Sequence, residues 1–237
     1  MRIPRTEQQR RPYQFLLFSF FLLFQSSSAQ PEQCAPFAPP AVLRGRHIYN
    51  SISGDPVPVR GINYYPRPNT GPLTQTNSID FFTEEYRHIW ERDIAHFQAL
   101  QVNVVRVYAV APGVSHDGFL CALKAAGIYL IVGLAADCLG CAITTTDAAP
   151  DCYPAELKER GQFIIAEFAR YDNVLAFSAG NEVGLSAATP QTNAPCQKQF
   201  IRDMRAFIDG CHETIRRIPV GLAIADVERE GKILYYR

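Results

Sequence analysis

The chain of 237 residues is long enough for one large domain or two small ones. Hydrophobic residues make up 47% of it and charged residues 19%, which supports a buried core and excludes a disordered protein. Lys and Arg together number 23, as do Asp and Glu, so the sequence lacks the basic excess of a protein that binds nucleic acid through bulk charge. We therefore expect no nucleic-acid partner.

Residues 1–29 have the layout of a secretory signal peptide. A lead that contains four arginines precedes the apolar run Phe15–Phe24, and small residues end the segment at Ala29. The run is too short to cross about 30 Å of hydrocarbon as a helix, so a cleaved leader is favoured over an uncleaved anchor. The prediction is a protein that is exported from the cytosol.

Alternating strand and helix patterns follow an irregular lead-in that we predict over residues 30–54. Continuous apolar or β-rich runs predict strands, and apolar positions at helical spacing predict helices. The predicted strands cover residues 57–65, 102–110, 128–134, 174–178 and 219–224. The predicted helices between them cover residues 83–100, 116–126, 155–171 and 195–209.

This alternation predicts an α/β fold with a parallel sheet, either doubly wound or a (β/α)8 barrel. The first strand is followed by a turn without a glycine-rich phosphate fingerprint, which argues against a nucleotide site. Five strands are too few for a complete barrel. If the fold is a barrel, residues 55–237 therefore hold only about five of its eight βα units.

All seven cysteines follow the predicted leader, in a compartment where disulfides persist. Their odd number leaves one thiol free or paired outside this sequence. Cys138 and Cys141 have thioredoxin spacing but lie in a polar stretch, so disulfides that staple loops are favoured over redox catalysis. The histidines show no paired spacing near the cysteines, which argues against zinc. We expect no metal and no cofactor.

The ends of the predicted strands carry the candidate site residues, because a (β/α)8 barrel places its reactive groups there. These ends give Tyr64, Tyr65, Tyr108, the segment Leu134–Asp137, the pair Asn181–Glu182 and Asp226. The pair directly follows an apolar strand, where a carboxylate is costly unless it is used or paired. The alternative is an exposed pair that caps a helix in a loop.

Three segments in a fixed order carry a resemblance to a known family. They are NVVRVYAV at 103–110, YDNVLAFSAGNEV at 171–183 and RRIPVG at 216–221. Together they resemble the β-1,3-glucanosyltransferases of glycoside hydrolase family 72. The resemblance implies that residues 55–237 are the N-terminal part of a (β/α)8 catalytic domain. It also implies a retaining enzyme of cell-wall remodelling, which cleaves β-1,3-glucan and joins the new end to a second glucan chain. Such an enzyme is secreted or held at the cell surface, on the extracellular face of the plasma membrane or in the cell wall.

The resemblance also implies roles for the candidate residues. Retaining glycosidases use two carboxyl groups about 5–5.5 Å apart, one as acid/base and one as nucleophile. By resemblance, Glu182 is the acid/base and Asn181 binds the sugar 2-hydroxyl, while Tyr108, Tyr64 and Tyr65 contact the substrate. The family's nucleophile is a glutamate at the end of the seventh strand, a position that this sequence does not reach. We assign that role to neither Glu228 nor Glu230.

Three departures mark a divergent member. Tyr65 stands where the family commonly has Gln, and Gly133 where it often has Asp. The family's usual cysteine in the first helix is absent, which leaves Cys121 without its expected mate.

Two alternatives stay open at this stage, a secreted β-glucanase that transfers to water and a non-catalytic glucan-binding surface protein. The expected partners are β-1,3-glucan donor and acceptor chains. Glycolipid (GPI) anchorage to the cell membrane would depend on a C-terminus beyond Arg237, and we expect this chain alone to be inactive.

Overall fold

The computed structural model describes residue 34 and residues 41–67, 78–183, 192–226 and 229–236. A short antiparallel hairpin comes first, formed by β1 (Ala41–Arg44) and β2 (His47–Asn50). Gly45 turns the chain between them with φ +63°, a conformation that glycine adopts easily. The prediction of an irregular lead-in is therefore wrong for residues 41–50, and the predicted signal peptide lies outside the described residues.

Five parallel strands form the main sheet, in the order of the sequence. They are β3 (Gly61–Tyr64), β4 (Val104–Val107), β5 (Tyr129–Gly133), β6 (Val174–Asn181) and β7 (Val220–Ala223). The central strands are rich in valine, leucine and isoleucine because both faces of the sheet are covered. All five overlap the predicted strands, and β6 extends three residues further than predicted.

Helices follow the strands of this sheet in turn. They are α1 (Arg87–Ala99), α2 (Asp117–Ala125), α3 (Ala155–Phe168), α4 (Ala194–Gly210) and α5 (Arg229–Tyr236), and a 3-10 turn at Glu84–Tyr86 precedes α1. Helix α1 buries Trp90, Ile94 and Phe97, which helical spacing places on one face. The four predicted helices are confirmed, whereas α5 was not predicted.

The strands and helices are arranged as in part of a (β/α)8 barrel. One apolar cluster fills the space between the sheet and its helices. On the other face, Val104, Tyr129 and Leu175 form a second cluster, against which Ala41 and Ile48 of the hairpin pack. The parallel register brings the carboxyl ends of all five strands to one edge. The prediction of about five units of a (β/α)8 barrel is confirmed.

Two of the three disulfides join distant parts of the chain, and the third closes a short loop. The pairs are Cys34–Cys121, Cys138–Cys141 and Cys152–Cys196, which confirms staples rather than free thioredoxin-like thiols. All seven cysteines belong to the described residues, and Cys211 is unpaired. The mate of Cys121 is thus Cys34, from outside the first helix. Within the described ranges, no helix combines the length and the apolar character needed to span a bilayer.

Candidate active site

Asn181 and Glu182 lie at the carboxyl edge of the sheet, where β6 ends. The side chains of both are exposed. The backbone N–H of Glu182 donates to the carbonyl oxygen of Ala223, the last residue of β7, at 2.9 Å. Glu182 has φ +52°, in the left-handed region that a non-glycine residue rarely adopts. The end of β6 thus holds an accessible carboxylate on a firmly bonded but strained backbone.

Arg106 connects this pair to two other strands. Its Nη2 donates to Asn181 Oδ1 at 3.0 Å, and its Nη1 donates to the Tyr108 hydroxyl at 2.8 Å. Its guanidinium carbon lies 4.5 Å from the centre of the Tyr108 ring, and Nη1 also reaches Asn63 Oδ1 at 3.5 Å. Since the planar guanidinium of Arg106 bonds to both Asn181 and Tyr108, it fixes the relative position of these two side chains. The Arg106 Nε is buried without a partner.

A cleft of about 500 Å³ opens beside these residues. Its lining includes Tyr65, Tyr108, Gly180, Asn181 and Gln197, together with Ala135–Asp137 from the segment after β5. Small and aromatic side chains dominate, with a few polar groups between them. Such a lining suits a neutral ligand with apolar faces and several hydroxyl groups.

Tyr65 is held in the wall of the cleft by contacts at both ends of its ring. The hydroxyl donates to the carbonyl oxygen of Ile79 at 2.9 Å, and the ring meets Phe81 edge-on with centroids 5.3 Å apart. Partial burial raises the pKa of the Tyr65 phenol. The side chain therefore presents a fixed aromatic surface to the cleft.

Tyr64 lies elsewhere, which corrects the expectation that it contacts the substrate. Its ring packs against Phe82 and Phe97 between the sheet and α1, and only 7% of the residue is exposed. The hydroxyl donates to Asp93 Oδ2 at 2.8 Å, and burial, followed by this bond, raises the pKa of the phenol well above its usual range. The physical reason is the alternation of a strand, which turns neighbouring residues to opposite faces.

One peptide unit after Tyr108 is held from both sides. The carbonyl of Val110 accepts a hydrogen bond from Arg160 Nη2, and the N–H of the next residue, Ala111, donates to Asp80 Oδ2 at 2.6 Å. Arg160 Nε also donates to the carbonyl of Leu134, at the end of β5, at 3.1 Å. Burial lowers the pKa of Arg160, and the charge of Asp80 acts against that shift. These contacts tie together the segments that follow β4 and β5.

The long connection between β5 and α3 forms one wall of the cleft. The Cys138–Cys141 disulfide closes a tight loop in it, and Cys152–Cys196 links its far end to α4. Asn193 Nδ2 donates to the carbonyl of Thr144 at 3.0 Å. A connection without regular secondary structure is thereby given a fixed shape.

Two of the family departures have a structural counterpart. Tyr65 occupies the cleft with a ring instead of an amide. At Gly133, an added Cβ would lie 3.1 Å from the carbonyl oxygen of Val107, a tight approach. A longer side chain at residue 133 would thus require the end of β4 to shift.

The remaining candidates are placed as follows. Glu228 lies outside the described residues, and Glu230 is exposed on α5. Among the side chains that the structure describes, no three His, Cys, Asp or Glu residues lie close enough to hold a metal ion.

Arg106 and Gln197 belong to the site but were not predicted. A charged residue inside the apolar strand at 102–110 is a signal that could have identified Arg106, because a buried charge requires a partner. Gln197 gave no such signal, since a glutamine in an amphipathic helix is ordinary.

Comparison with known proteins decides the family. The model of glycoside hydrolase family 72, described as glucanosyltransferase, matches residues 31–235. The chain belongs to this glucanosyltransferase family. The resemblance inferred from the three sequence segments is confirmed.

Curated glucanosyltransferases from fungi are similar over most of this chain. The 1,3-beta-glucanosyltransferase PGA4 of Candida albicans is 34% identical over 189 residues, which are 78% of this chain and 38% of PGA4. The 1,3-beta-glucanosyltransferase GAS5 of Saccharomyces cerevisiae is 33% identical over 215 residues, 89% of this chain and 41% of GAS5. The chain thus spans less than half the length of these glucanosyltransferases.

Solved structures agree with this assignment. Saccharomyces cerevisiae Gas2p in complex with laminaripentaose superposes with a TM-score of 0.68 at 28% identity, over 82% of this chain and 42% of that one. Gas2p in complex with laminaritriose and laminaritetraose gives a TM-score of 0.63 at 27% identity, over 83% and 42%. The fold of this chain is therefore that of the corresponding part of Gas2p.

Proposed function

We propose that the chain supplies the acid/base half of a retaining β-1,3-glucanosyltransferase. The observation that carries this proposal is the exposed Glu182 at the end of β6, next to Asn181 and beside a cleft, in a chain of the glucanosyltransferase family. The cleft suits a neutral polyhydroxylated chain. The laminari-oligosaccharides bound to Gas2p are ligands of that chemical class.

Glu182 acts twice in this proposal. Its protonated carboxyl group gives a proton to the glycosidic oxygen while a nucleophilic carboxylate attacks the anomeric carbon from the opposite face. The bond to the leaving glucan breaks, and a covalent glycosyl-enzyme forms. Glu182, now ionised, then removes the proton from the hydroxyl group of an acceptor glucan. That oxygen displaces the nucleophile with net retention of configuration.

The neighbours of Glu182 orient the sugar. Asn181 offers its amide to the 2-hydroxyl, and the bond from Arg106 Nη2 to Asn181 Oδ1 directs the NH₂ of that amide away from Arg106. Tyr108, held by the same arginine, and Tyr65 offer ring faces to the pyranose. No described residue takes the part of the nucleophile in this proposal.

The setting of the enzyme is part of the proposal. Three disulfides fit an oxidising compartment outside the cytosol. The donor and acceptor are both β-1,3-glucan chains, at the cell surface or in the wall. Glycolipid anchorage stays a prediction on which no described residue bears.

Product length tests this function directly. The whole protein that the gene encodes is incubated with laminariheptaose, and the oligosaccharide products are separated by size. Products longer than the substrate are expected, because an acceptor glucan competes with water for the glycosyl-enzyme. Only shorter products would indicate the β-glucanase alternative. Binding without any change in chain length would contradict catalysis and support the glucan-binding alternative.

A further inference from the structure

Gln197 carries an unpaired amide into the lining of the cleft. It lies in the first turns of α4 and is 0% exposed. Neither its Nε2 nor its Oε1 has a hydrogen-bond partner. Buried polar side chains are nearly always hydrogen-bonded, since an unpaired amide loses its water without compensation. An orphaned amide beside a ligand cleft therefore requires an explanation.

The backbone of β6 makes room for this amide. A Cβ added to Gly180 would lie 2.7 Å from Gln197 Oε1, closer than real Cβ atoms approach other heavy atoms. Glycine at position 180 thus leaves room for the amide of Gln197 against β6, directly before Asn181. Since the glycine and the glutamine both line the cleft, they form a single feature of its wall.

The chemistry of the amide points to its ligand. It offers one acceptor oxygen and an NH₂ donor side by side and carries no charge. A hydroxyl group both donates and accepts, so neighbouring sugar hydroxyls complement such an amide, whereas an anion or a cation would use only half of it. The aromatic and alanine-rich surroundings favour the same neutral class of ligand.

We propose that Gln197 is a glucan-binding residue, whose amide exchanges hydrogen bonds with hydroxyl groups of the sugar in the cleft. This inference rests on the proposed function. Val183 lines the same cleft beside the glycine and the glutamine. The ligand supplies the partners that the free chain lacks.

Replacing the amide by an apolar side chain of the same length tests this role. We expect Gln197→Met to weaken the binding of laminaripentaose by about tenfold, as two lost hydrogen bonds predict. The urea midpoint of unfolding should stay the same or rise, because the two unpaired atoms are gone. Gln199→Met makes the same change two residues along the helix, outside the cleft lining, and should leave the affinity unchanged. The affinities for laminaripentaose are measured by calorimetric titration of the whole protein that the gene encodes and of its two variants.

The outcomes separate this inference from the proposed function. If the unmutated protein binds no laminaripentaose, the proposed function fails and the role of Gln197 fails with it. If it binds and Gln197→Met binds equally well, only the role of Gln197 is overturned. A second measurement uses the unmutated protein and so does not depend on whether a variant folds. The side-chain NH₂ resonance of Gln197 should shift on addition of laminaripentaose, and an unmoved resonance overturns the role.

Discussion

Glu182 combines an exposed side chain with a strained backbone. Its side chain is exposed, and its backbone has φ +52°, which costs about 1–2 kcal/mol in a non-glycine residue. Its N–H is bonded to Ala223, which holds this conformation in place. Local strain of this kind is concentrated at active sites. The strain therefore fits the role proposed for Glu182.

Replacing the carboxyl group of Glu182 by an amide should therefore affect the rate and spare the fold. Glu182→Gln keeps the size and the backbone of the residue but removes the transferable proton. We expect transglycosylation of laminari-oligosaccharides to fall by about 10²–10⁴-fold, the usual contribution of general acid–base catalysis. An aryl glucoside donor needs little protonation, so its first step should fall far less, and azide should partly restore turnover.

The matched control for this variant is Glu159→Gln, an exposed carboxylate on α3 away from the cleft. It should keep the rate of the unmutated protein. Transglycosylation by Glu182→Gln at a rate like that of the control would remove Glu182 from the mechanism.

Tyr64 provides a prediction about stability and pH. In the folded chain its pKa lies above the ordinary 10.0, so above about pH 10 the unfolded chain binds fewer protons than the folded chain. The stabilisation by its bond to Asp93 is complete below pH 10 and is lost as the pH rises further. Tyr64→Phe should lower the free energy of unfolding at pH 8 by about 1.5–3 kcal/mol. Glucan binding should not change.

Urea unfolding at several pH values measures this effect. The difference between Tyr64→Phe and the unmutated protein should shrink steadily above pH 10. A difference that stays constant up to pH 11 would mean that the ionisation of Tyr64 is not linked to folding.

At the scale of elements, the disulfides of the β5–α3 connection differ in the loops that they close. Cys152 and Cys196 are 44 residues apart, whereas Cys138 and Cys141 are 3 apart. In the chain-entropy model the longer loop contributes about 4 kcal/mol and the shorter about 2 kcal/mol. Replacing both cysteines of a pair by serine should therefore destabilise the protein more for Cys152–Cys196. Chemical denaturation of the two double variants under non-reducing conditions measures the order, and the reverse order would contradict it.

The sequence predicted the regular elements well because their signals are local. The valines of β4 and the spacing of Trp90, Ile94 and Phe97 are visible within one segment. The short strands of the hairpin were missed because four residues carry too little periodicity. Helix α5 was missed because it lies beyond the last strand that the pattern indicated.

The candidate site residues that lie at strand ends could be predicted from the sequence. Those that depend on contacts between residues far apart in the chain could not. Asn181–Glu182 follows its strand directly, so its position at the edge could be predicted. The bond between Arg106 and Asn181 joins residues 75 apart, and no local pattern contains it. Tyr64 and Tyr65 are adjacent, so one residue of register decides which of them reaches the cleft. The burial of Gln197 depends on a glycine in another element.

At the scale of the whole molecule, the sheet of the described residues has edges at β3 and β7. Each of these strands has a neighbour on one side, which leaves backbone donors and acceptors open. We expect residues 30–237, expressed alone, to associate through these edges and to show no transglycosylation. Sedimentation velocity measures the association. A monomer with a cooperative melt would contradict it.

A charge placed on one edge tests the route of this association. Ile62 lies on β3 and is 36% exposed, so Ile62→Lys should shift the population toward monomer, as lysines on natural edge strands do. Leu100, at the end of α1, is 68% exposed and lies away from the edge. Leu100→Lys should leave the association unchanged. Equal effects of Ile62→Lys and Leu100→Lys would indicate association through nonspecific apolar contacts instead of strand pairing.

The left-handed backbone at residue 182 also bears on the history of the chain. Glycine relieves such a conformation, and a single base change converts either glutamate codon into a glycine codon. In a lineage that had ceased to cleave glucan, mutation would reach this relief easily, and nothing would oppose it. If Glu182 has the proposed role, we expect selection for chemistry to keep a glutamate in this conformation. Descendants that bind glucan without turnover should carry glycine or asparagine at this position.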